Sequence, residues 1–241
     1  MDDRAVGKMM DWSAKFSPIN LGIIERDALA KRILTHLAAA VPGSTALLRG
    51  SLAEGRADSY SDIDILWEVP DASFSGAIER VCALMATIQA VESIRTDPDF
   101  QRSVGRRLFF IRFAGVPVFW RVDLDVFAAS VGRDFNYDAD NPLARGPEWS
   151  RTESALANGI AAVKAYLRGN EASANGLLRR AFERVAVPLP SGRLPIQLLA
   201  LTDTVTVIDP TTFAFAERIR QLIREVFTEA RMEPTSAEAS L

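Results

Sequence analysis

The order of patterns along this chain predicts an α/β (α+β) domain followed by a helical domain. Three observations carry that expectation. Strand-like runs at 45–49, 62–69, 107–113 and 118–127 all fall before residue 128 of the 241. A segment rich in Gly, Asp, Asn and Pro occupies 128–149. Beyond it the apolar residues recur at helical spacing. The expected organisation is a first domain over 1–130, a linker over 131–149 and a helical domain over 150–241.

Residues 1–20 mix charged, polar and aromatic types and are expected to be partly ordered. From 23 to 41 the apolar positions Leu29, Ile33, Leu37 and Val41 recur every four residues, the signature of an amphipathic helix. Pro42-Gly43 ends it. His36 lies in this helix and reads as a surface or packing residue. The short apolar run 45–49 is a strand candidate closed by Gly50-Ser51, and 62–69 is a second one closed by Pro70. Phe74, Ile78, Val81, Met85 and Ile88 mark a helix. The β-branched and aromatic runs 107–113 and 118–127 flank Ala114-Gly115, which suggests a hairpin. Phe119 and Trp120 read as packing residues.

In the second half, Leu156, Ile160, Val163 and Leu167 form one stripe, ended by Gly169-Asn170. Leu177, Leu178, Ala181 and Val185 belong to another. The stretch 188–195 is a break, and 198–207 is ambiguous between helix and strand. Phe215, Ile219, Leu222, Ile223 and Val226 mark the last helix, and the chain is expected to fray from Pro234.

Composition limits the chemistry. Hydrophobic residues make up 48% and charged residues 24%, an ordinary globular balance. The formal net charge is −3 and the pI about 5.4. Proteins whose main partner is nucleic acid usually carry a basic excess, so a small acceptor is favoured over a nucleic acid. Cys82 is the single cysteine and His36 the single histidine. Intramolecular disulfides, thiolate zinc sites, and Ser-His-Asp or Cys-His catalysis are therefore excluded. Chemistry must rest on carboxylates, hydroxyls, Lys, Arg and backbone amides. No run approaches the roughly 18 apolar residues of a membrane span. The start of the sequence shows no apolar core behind a basic stretch, so a cytoplasmic protein is expected.

The stretch 47–65 concentrates that chemistry. Gly50 lets backbone approach a phosphate closely. Ser51 is placed to cap the following turn, with amides and a hydroxyl turned toward phosphate oxygens. Arg56 can add positive charge. Asp62 and Asp64 stand two apart on a strand, so both carboxylates project from one face while Ile63 and Ile65 face the core. Like charges that close are costly without a cation. A pair of Mg²⁺ ions would compensate them and bind nucleotide phosphates as well. The strand 121–126 offers a third carboxylate, because Asp123 and Asp125 share a face. Spacing alone does not choose between them, and Asp123 can instead be a strand acid paired with Arg121.

Gly50-Ser51, ten intervening residues, Asp62-Ile63-Asp64 and the later Asp123 together resemble the signature of DNA polymerase β-like nucleotidyltransferases. The resemblance covers 45–127. The Ser-Asp-Ile-Asp form, the size and the trailing helical domain look like bacterial antibiotic nucleotidyltransferases acting on aminoglycosides or lincosamides. It implies a mixed sheet in the first domain. It also implies in-line transfer of a nucleoside monophosphate from an NTP, with ATP the expected donor, to a hydroxyl, releasing pyrophosphate. Asp62 and Asp64 would hold two Mg²⁺ ions, with Asp123 as a further ligand or general base and Asp125 as its alternate. Gly50 and Ser51 would hold the triphosphate, with Ser61 as a further contact. Lys164, beside the Ile160–Val163 stripe, is the candidate phosphate-reaching lysine of the helical domain, weighed against a solvated helix residue.

For the acceptor, Tyr137, Asp138, Asp140, Glu148 and Trp149 could form an acidic, aromatic wall suited to a cationic aminoglycoside, or simply a polar linker. The Arg179-Arg180 and Arg218-Arg220-Arg224 positions read as solvated helix faces. Two other functions stay open: transfer to a protein or RNA in a toxin–antitoxin system, and a non-catalytic nucleotide-binding regulatory module. The sequence does not give the oligomeric state.

Overall fold

The computed structural model describes residues 22–229. The partly ordered start expected over 1–20 and the fraying expected from Pro234 lie outside the described residues. The described chain falls into two compact units, 22–149 and 150–229. None of its helices is long and apolar enough to cross a membrane.

The first unit runs α1 (Ile23–Ala40), β1 (Thr45–Leu48), a one-turn α2 (Gly50–Ala53), β2 (Ile63–Val69), α3 (Phe74–Ile88), β3 (Val91–Thr96), β4 (Arg106–Phe113) and β5 (Val122–Ala128). The five strands form one mixed sheet in the order β1-β2-β5-β4-β3. Only β2 and β5 run parallel; the other neighbours are antiparallel.

Alternation on β2 and β5 divides the sheet into two faces. Ile63, Ile65, Trp67 and Val69 on β2, with Val122, Leu124 and Val126 on β5, are buried on one face. Helices α1 and α3 pack on the sheet and on each other. They contribute Leu29, Ile33 and Leu37 from one and Ala77, Val81, Met85 and Ile88 from the other. The fourfold apolar spacing read from α1 is thus its buried stripe. His36 is exposed on that helix, and its Nε2 lies 2.9 Å from the Thr87 hydroxyl. The opposite face carries Asp64 on β2 and Asp123 and Asp125 on β5.

Several elements differ from expectation. The edge strand β3 was not anticipated. Its sequence VESIRT is only half-buried and shifts register between Val91 and Ser93, so it lacks clean alternation. The hairpin joining β4 and β5 exists, but β5 starts at Val122 rather than at 118. The Trp120 N–H donates to the Pro117 carbonyl at 2.9 Å, and that turn buries Phe119 and Trp120 as packing residues. The ambiguous stretch 198–207 is helical.

The segment 131–149, expected as a linker, has no regular structure and folds onto the sheet of the first unit. Phe135 meets Phe127 edge-on at 5.5 Å, its carbonyl accepts from Arg106 Nη1 at 2.6 Å, and the Gly146 N–H donates to the Pro98 carbonyl at 2.8 Å. Beneath it, Asp125 is fully buried. Arg106 holds it through Nε to Oδ1 at 3.0 Å and Nη2 to Oδ2 at 2.9 Å, and Arg49 Nη1 adds a bond to Oδ2 at 2.7 Å.

The second unit contains α4 (Arg151–Leu167), α5 (Glu171–Arg184), α6 (Leu194–Ile208) and α7 (Phe213–Glu229). Ser150 caps α4 by accepting from the Glu153 N–H, and Asn170 caps α5 by accepting from the Ser173 N–H. On α6, Pro195 fits the first turn, where its missing N–H costs nothing. Leu198, Leu201, Thr202 and Val205 follow at helical spacing and are buried. A Cβ on Gly159 of α4 would stand 3.1 Å from Leu201, so the small residue lets α4 and α6 approach closely.

Replacing Asp125 by Ala leaves the Arg106 charge buried without its carboxylate. This is expected to cost about 3–5 kcal/mol of stability, the range for breaking a buried ion pair from one side. Urea unfolding followed by circular dichroism measures it, and a loss below ~1 kcal/mol would show that Asp125 does not hold the fold.

Candidate functional site

The parallel pairing of β2 with β5 builds the site. Its register sets Asp64 directly against Asp123 and Leu66 against Asp125. Asp62 immediately precedes β2 and lies close enough to Arg121 and Asp123 to act on both electrostatically. The backbone bond from the Ile63 N–H to the Arg121 carbonyl, 2.9 Å, continues the ladder there. Asp62 and Asp64 are half-buried. The sequence-derived trio Asp62, Asp64 and Asp123 is therefore brought to the start of two adjacent strands. Asp125 is one step further along β5, under the 131–149 segment, with both oxygens engaged by arginines.

Charge at the trio is partly balanced by Arg121. Its Nε and Nη2 donate to the two oxygens of Asp123, each at 2.6 Å. Burial pushes the Asp123 carboxyl up to about 6; the bond to Arg121 opposes this, and the negative charges of Asp62 and Asp64 add to it. The same three carboxylates hold the Arg121 guanidinium firmly protonated, against the opposing effect of its own burial. Its Cζ lies 4.8 Å from the centre of the Phe110 ring, and Phe110 is the cross-strand partner of Asp123.

The loop that delivers Asp62 is tied down from three sides. Arg26, 1% exposed on α1, donates from Nη1 to the Asp58 carbonyl. Trp120 Nε1 donates to the Ser59 carbonyl at 3.2 Å, and Tyr60 meets Phe119 edge-on at 5.4 Å. Within the loop the Ser61 hydroxyl donates to Asp58 Oδ1 at 2.9 Å and accepts from the Asp58 N–H at 3.1 Å. Ser61 is buried, so its hydroxyl serves the loop rather than facing outward as a phosphate contact. Arg26 and Trp120 were not singled out for the site, because their partners are backbone carbonyls about 30 and 60 residues away, which no local spacing reveals.

Gly50 brings its backbone against Asp64. Its φ is +59°, a conformation side chains disfavour, and a Cβ there would lie 2.6 Å from Asp64 Oδ2. Ser51 falls inside the first turn of α2, whose N-cap is Arg49 without a side-chain cap bond. It is therefore not the cap that its position suggested. Arg56 is exposed and paired with Glu54. Lys164 is on α4 in the second unit and 8% exposed.

The wall expected for a cationic acceptor is partly engaged in contacts within the first unit. Glu148 pairs with Arg145 at 2.6 Å, Asp138 accepts from Asn141 at 2.7 Å, and Tyr137 lies against Gly105. Trp149 lies under the Arg95 guanidinium, 4.8 Å from Cζ to the ring centre, and meets Phe110 at a tilt, 5.5 Å between rings.

Carboxylate oxygens are hard donors of the kind Mg²⁺ takes, and the missing Cβ of Gly50 leaves room at Asp64. Among the described residues no three acidic, His or Cys side chains already form a metal cage, with Asp123 turned into its bond with Arg121. The donor chemistry fits Mg²⁺. A shell including all three acids would compete with Arg121 for the oxygens of Asp123.

No family model matches the sequence, and no curated protein matches it. Solved structures similar to it include a GLD-2/RNP-8 complex, at 12% identity and a TM-score of 0.36 over 80% of this chain and 81% of that one. Another is the non-canonical poly(A) polymerase complex GLD-2–GLD-3, at 15% identity and a TM-score of 0.33 over 80% of this chain and 73% of that one.

Substituting Gly50 by Ala imposes a left-handed backbone on a residue with a Cβ and drives a methyl group into Asp64. The expected loss is about 1–2 kcal/mol from the backbone alone. A denaturation midpoint equal to that of the parent chain would mean that the turn relaxes freely and that Gly50 is not required beside Asp64.

Proposed function

We propose that this chain is a metal-dependent nucleotidyltransferase of the polymerase β-like kind, transferring a nucleoside monophosphate from an NTP, ATP first among candidates, to an acceptor hydroxyl. The observation that carries the reading is the pairing of Asp64 with Asp123 on adjacent parallel strands, with Asp62 just before β2 acting on the same cluster and the Gly50 backbone against Asp64.

In the reaction the acceptor oxygen attacks the α-phosphorus in line, a new P–O ester bond forms, and the bond to the β-phosphate oxygen breaks, releasing pyrophosphate. Divalent cations, when bound, would supply neutralisation of the triphosphate and of the leaving pyrophosphate. Asp62 and Asp64 would hold them. Asp123 would add a ligand, or take the proton of the attacking hydroxyl. Gly50, whose backbone lies against Asp64, and Ser51 would offer amide and hydroxyl groups to the triphosphate. Arg56 is a candidate for a further phosphate contact.

For the acceptor, the resemblance to antibiotic nucleotidyltransferases favours a small molecule such as an aminoglycoside or lincosamide. A second reading is favoured by the group Arg95, Phe110 and Trp149, because Phe110 shares the face of Asp123 and the group is cationic and aromatic. Such a surface suits a planar or anionic acceptor, a nucleotide or RNA end, better than a polycation.

The test mixes the protein with Mg²⁺, each NTP in turn, and a panel of aminoglycosides, lincosamides and short RNAs. It follows pyrophosphate release and product mass. A drug gaining one nucleoside monophosphate would support the first acceptor, and an RNA extended by one nucleotide the second. Asp64→Asn is expected to reduce transfer to background with an unchanged melting temperature, since it removes a ligand at a half-exposed position. Full turnover in that variant, or no binding of Mg²⁺-NTP by the parent chain, would sink the catalytic reading.

A further inference from the structure

Arg121 is placed where a cation is required. It immediately precedes β5, and its guanidinium occupies both oxygens of Asp123 at 2.6 Å. Planar bidentate geometry of this kind is the strongest form of an Arg–carboxylate pair. The far side of the guanidinium rests over Phe110, a surface that attracts a cation from the ring face. Asp62 and Asp64 lie close enough to act on Arg121 electrostatically as well. One guanidinium therefore offsets part of a cluster of three carboxylates.

We propose that Arg121 is a built-in counter-cation that competes with divalent metal for Asp123, and so sets the affinity of the acidic cluster for metal. The inference rests on the metal-site reading above and adds a role that the reaction itself does not assign. Without metal, Arg121 offsets repulsion that would otherwise act between Asp62, Asp64 and Asp123. With metal, Asp123 enters the shell in competition with the guanidinium, which already engages both of its oxygens. A group whose binding-competent state is only partly populated shows an apparent affinity reduced by that fraction. Removing the competitor and its positive charge both act in the same direction, toward tighter metal binding. Arg121 is thus a positioning residue, acting through Asp123.

The experiment is a titration of the full chain with Mn²⁺, free ion being read by electron paramagnetic resonance, in the absence of nucleotide. Melting temperatures are taken in chelator and in excess Mn²⁺. Arg121→Gln is expected to bind Mn²⁺ about tenfold more tightly than the parent. It is also expected to melt lower in chelator, and to gain more from Mn²⁺ than the parent does. Arg121→Lys keeps the charge and loses the fork, so its affinity should fall between the two. It also serves if the Gln variant does not fold. In an Asp123→Asn background the same Arg121 substitution should change Mn²⁺ affinity much less, because the contested carboxylate is gone. Folded Arg121→Gln protein binding Mn²⁺ no more tightly than the parent would overturn the counter-cation role while leaving the metal site standing. Affinity of Arg121→Lys equal to that of the parent would overturn the clamp and leave only a charge effect. Failure of both parent and variants to bind Mn²⁺ would overturn the inference together with the metal-site reading.

Discussion

The parallel register between β2 and β5 is the constraint on which the rest of the site depends. It sets Asp64 against Asp123, and two side-by-side carboxylates repel unless a cation stands between or beside them. The chain tolerates that arrangement because the opposite face of the same strands is wholly apolar. Ile63, Ile65, Val122 and Leu124 are buried under α1 and α3, and a one-residue slip of either strand would bring carboxylates into that core. Hydrophobic burial on one side thus holds the charge cluster in place on the other.

The two acids of β5 show how differently the same face can treat one residue type. Asp123 stays near the open end of the strands with one arginine, in a part-buried pair. Asp125, two residues on, is covered by the 131–149 segment and held by Arg106 and Arg49. The guanidinium of Arg106 also sits 3.9 Å from the Phe100 ring centre, and that of Arg49 4.6 Å from Phe135. Such a network contributes by satisfying the fully buried carboxylate with two guanidiniums, one buried and one partly exposed. It is costly to break from one side, and it leaves Asp125 no free oxygen to offer a ligand. The division of labour follows from coverage, since both residues are aspartates at the same periodicity.

Rigidity around Asp62 comes from outside its own segment. The Asp58–Ser61 turn closes on itself through side-chain bonds, while Arg26 and Trp120 reach its carbonyls from α1 and from the turn before β5. Gly50 then brings the end of β1 against Asp64 at a distance that no side chain would permit. Three separate parts of the chain converge so that a short loop can present a carboxylate in one place, which suits a site that must position several charged groups at once.

Much of this was legible in the sequence because it rests on local periodicity. The fourfold stripe of α1, the alternation of Ile63 and Ile65 with Asp62 and Asp64, and the spacing from Gly50-Ser51 to Asp62 follow from helix and strand geometry that holds wherever the chain folds. The α/β unit and the helical unit were readable for the same reason, and so was the packing role of Phe119 and Trp120. What periodicity could not supply was coverage and long-range pairing. The edge strand β3 is half-exposed and bulged and carries little pattern. Ser51 and Ser61 look alike as hydroxyls beside a Gly or an Asp, yet one is inside a turn and the other is consumed by its own loop. Asp123 and Asp125 are equivalent in spacing, and only the path of residues 131–149 over the sheet separates them. The sequence by itself determined which residues could share a face, because that is set by backbone geometry two to four residues at a time. The tertiary structure alone decided which of those residues stay open to a ligand, because burial and ion pairing depend on segments tens of residues apart.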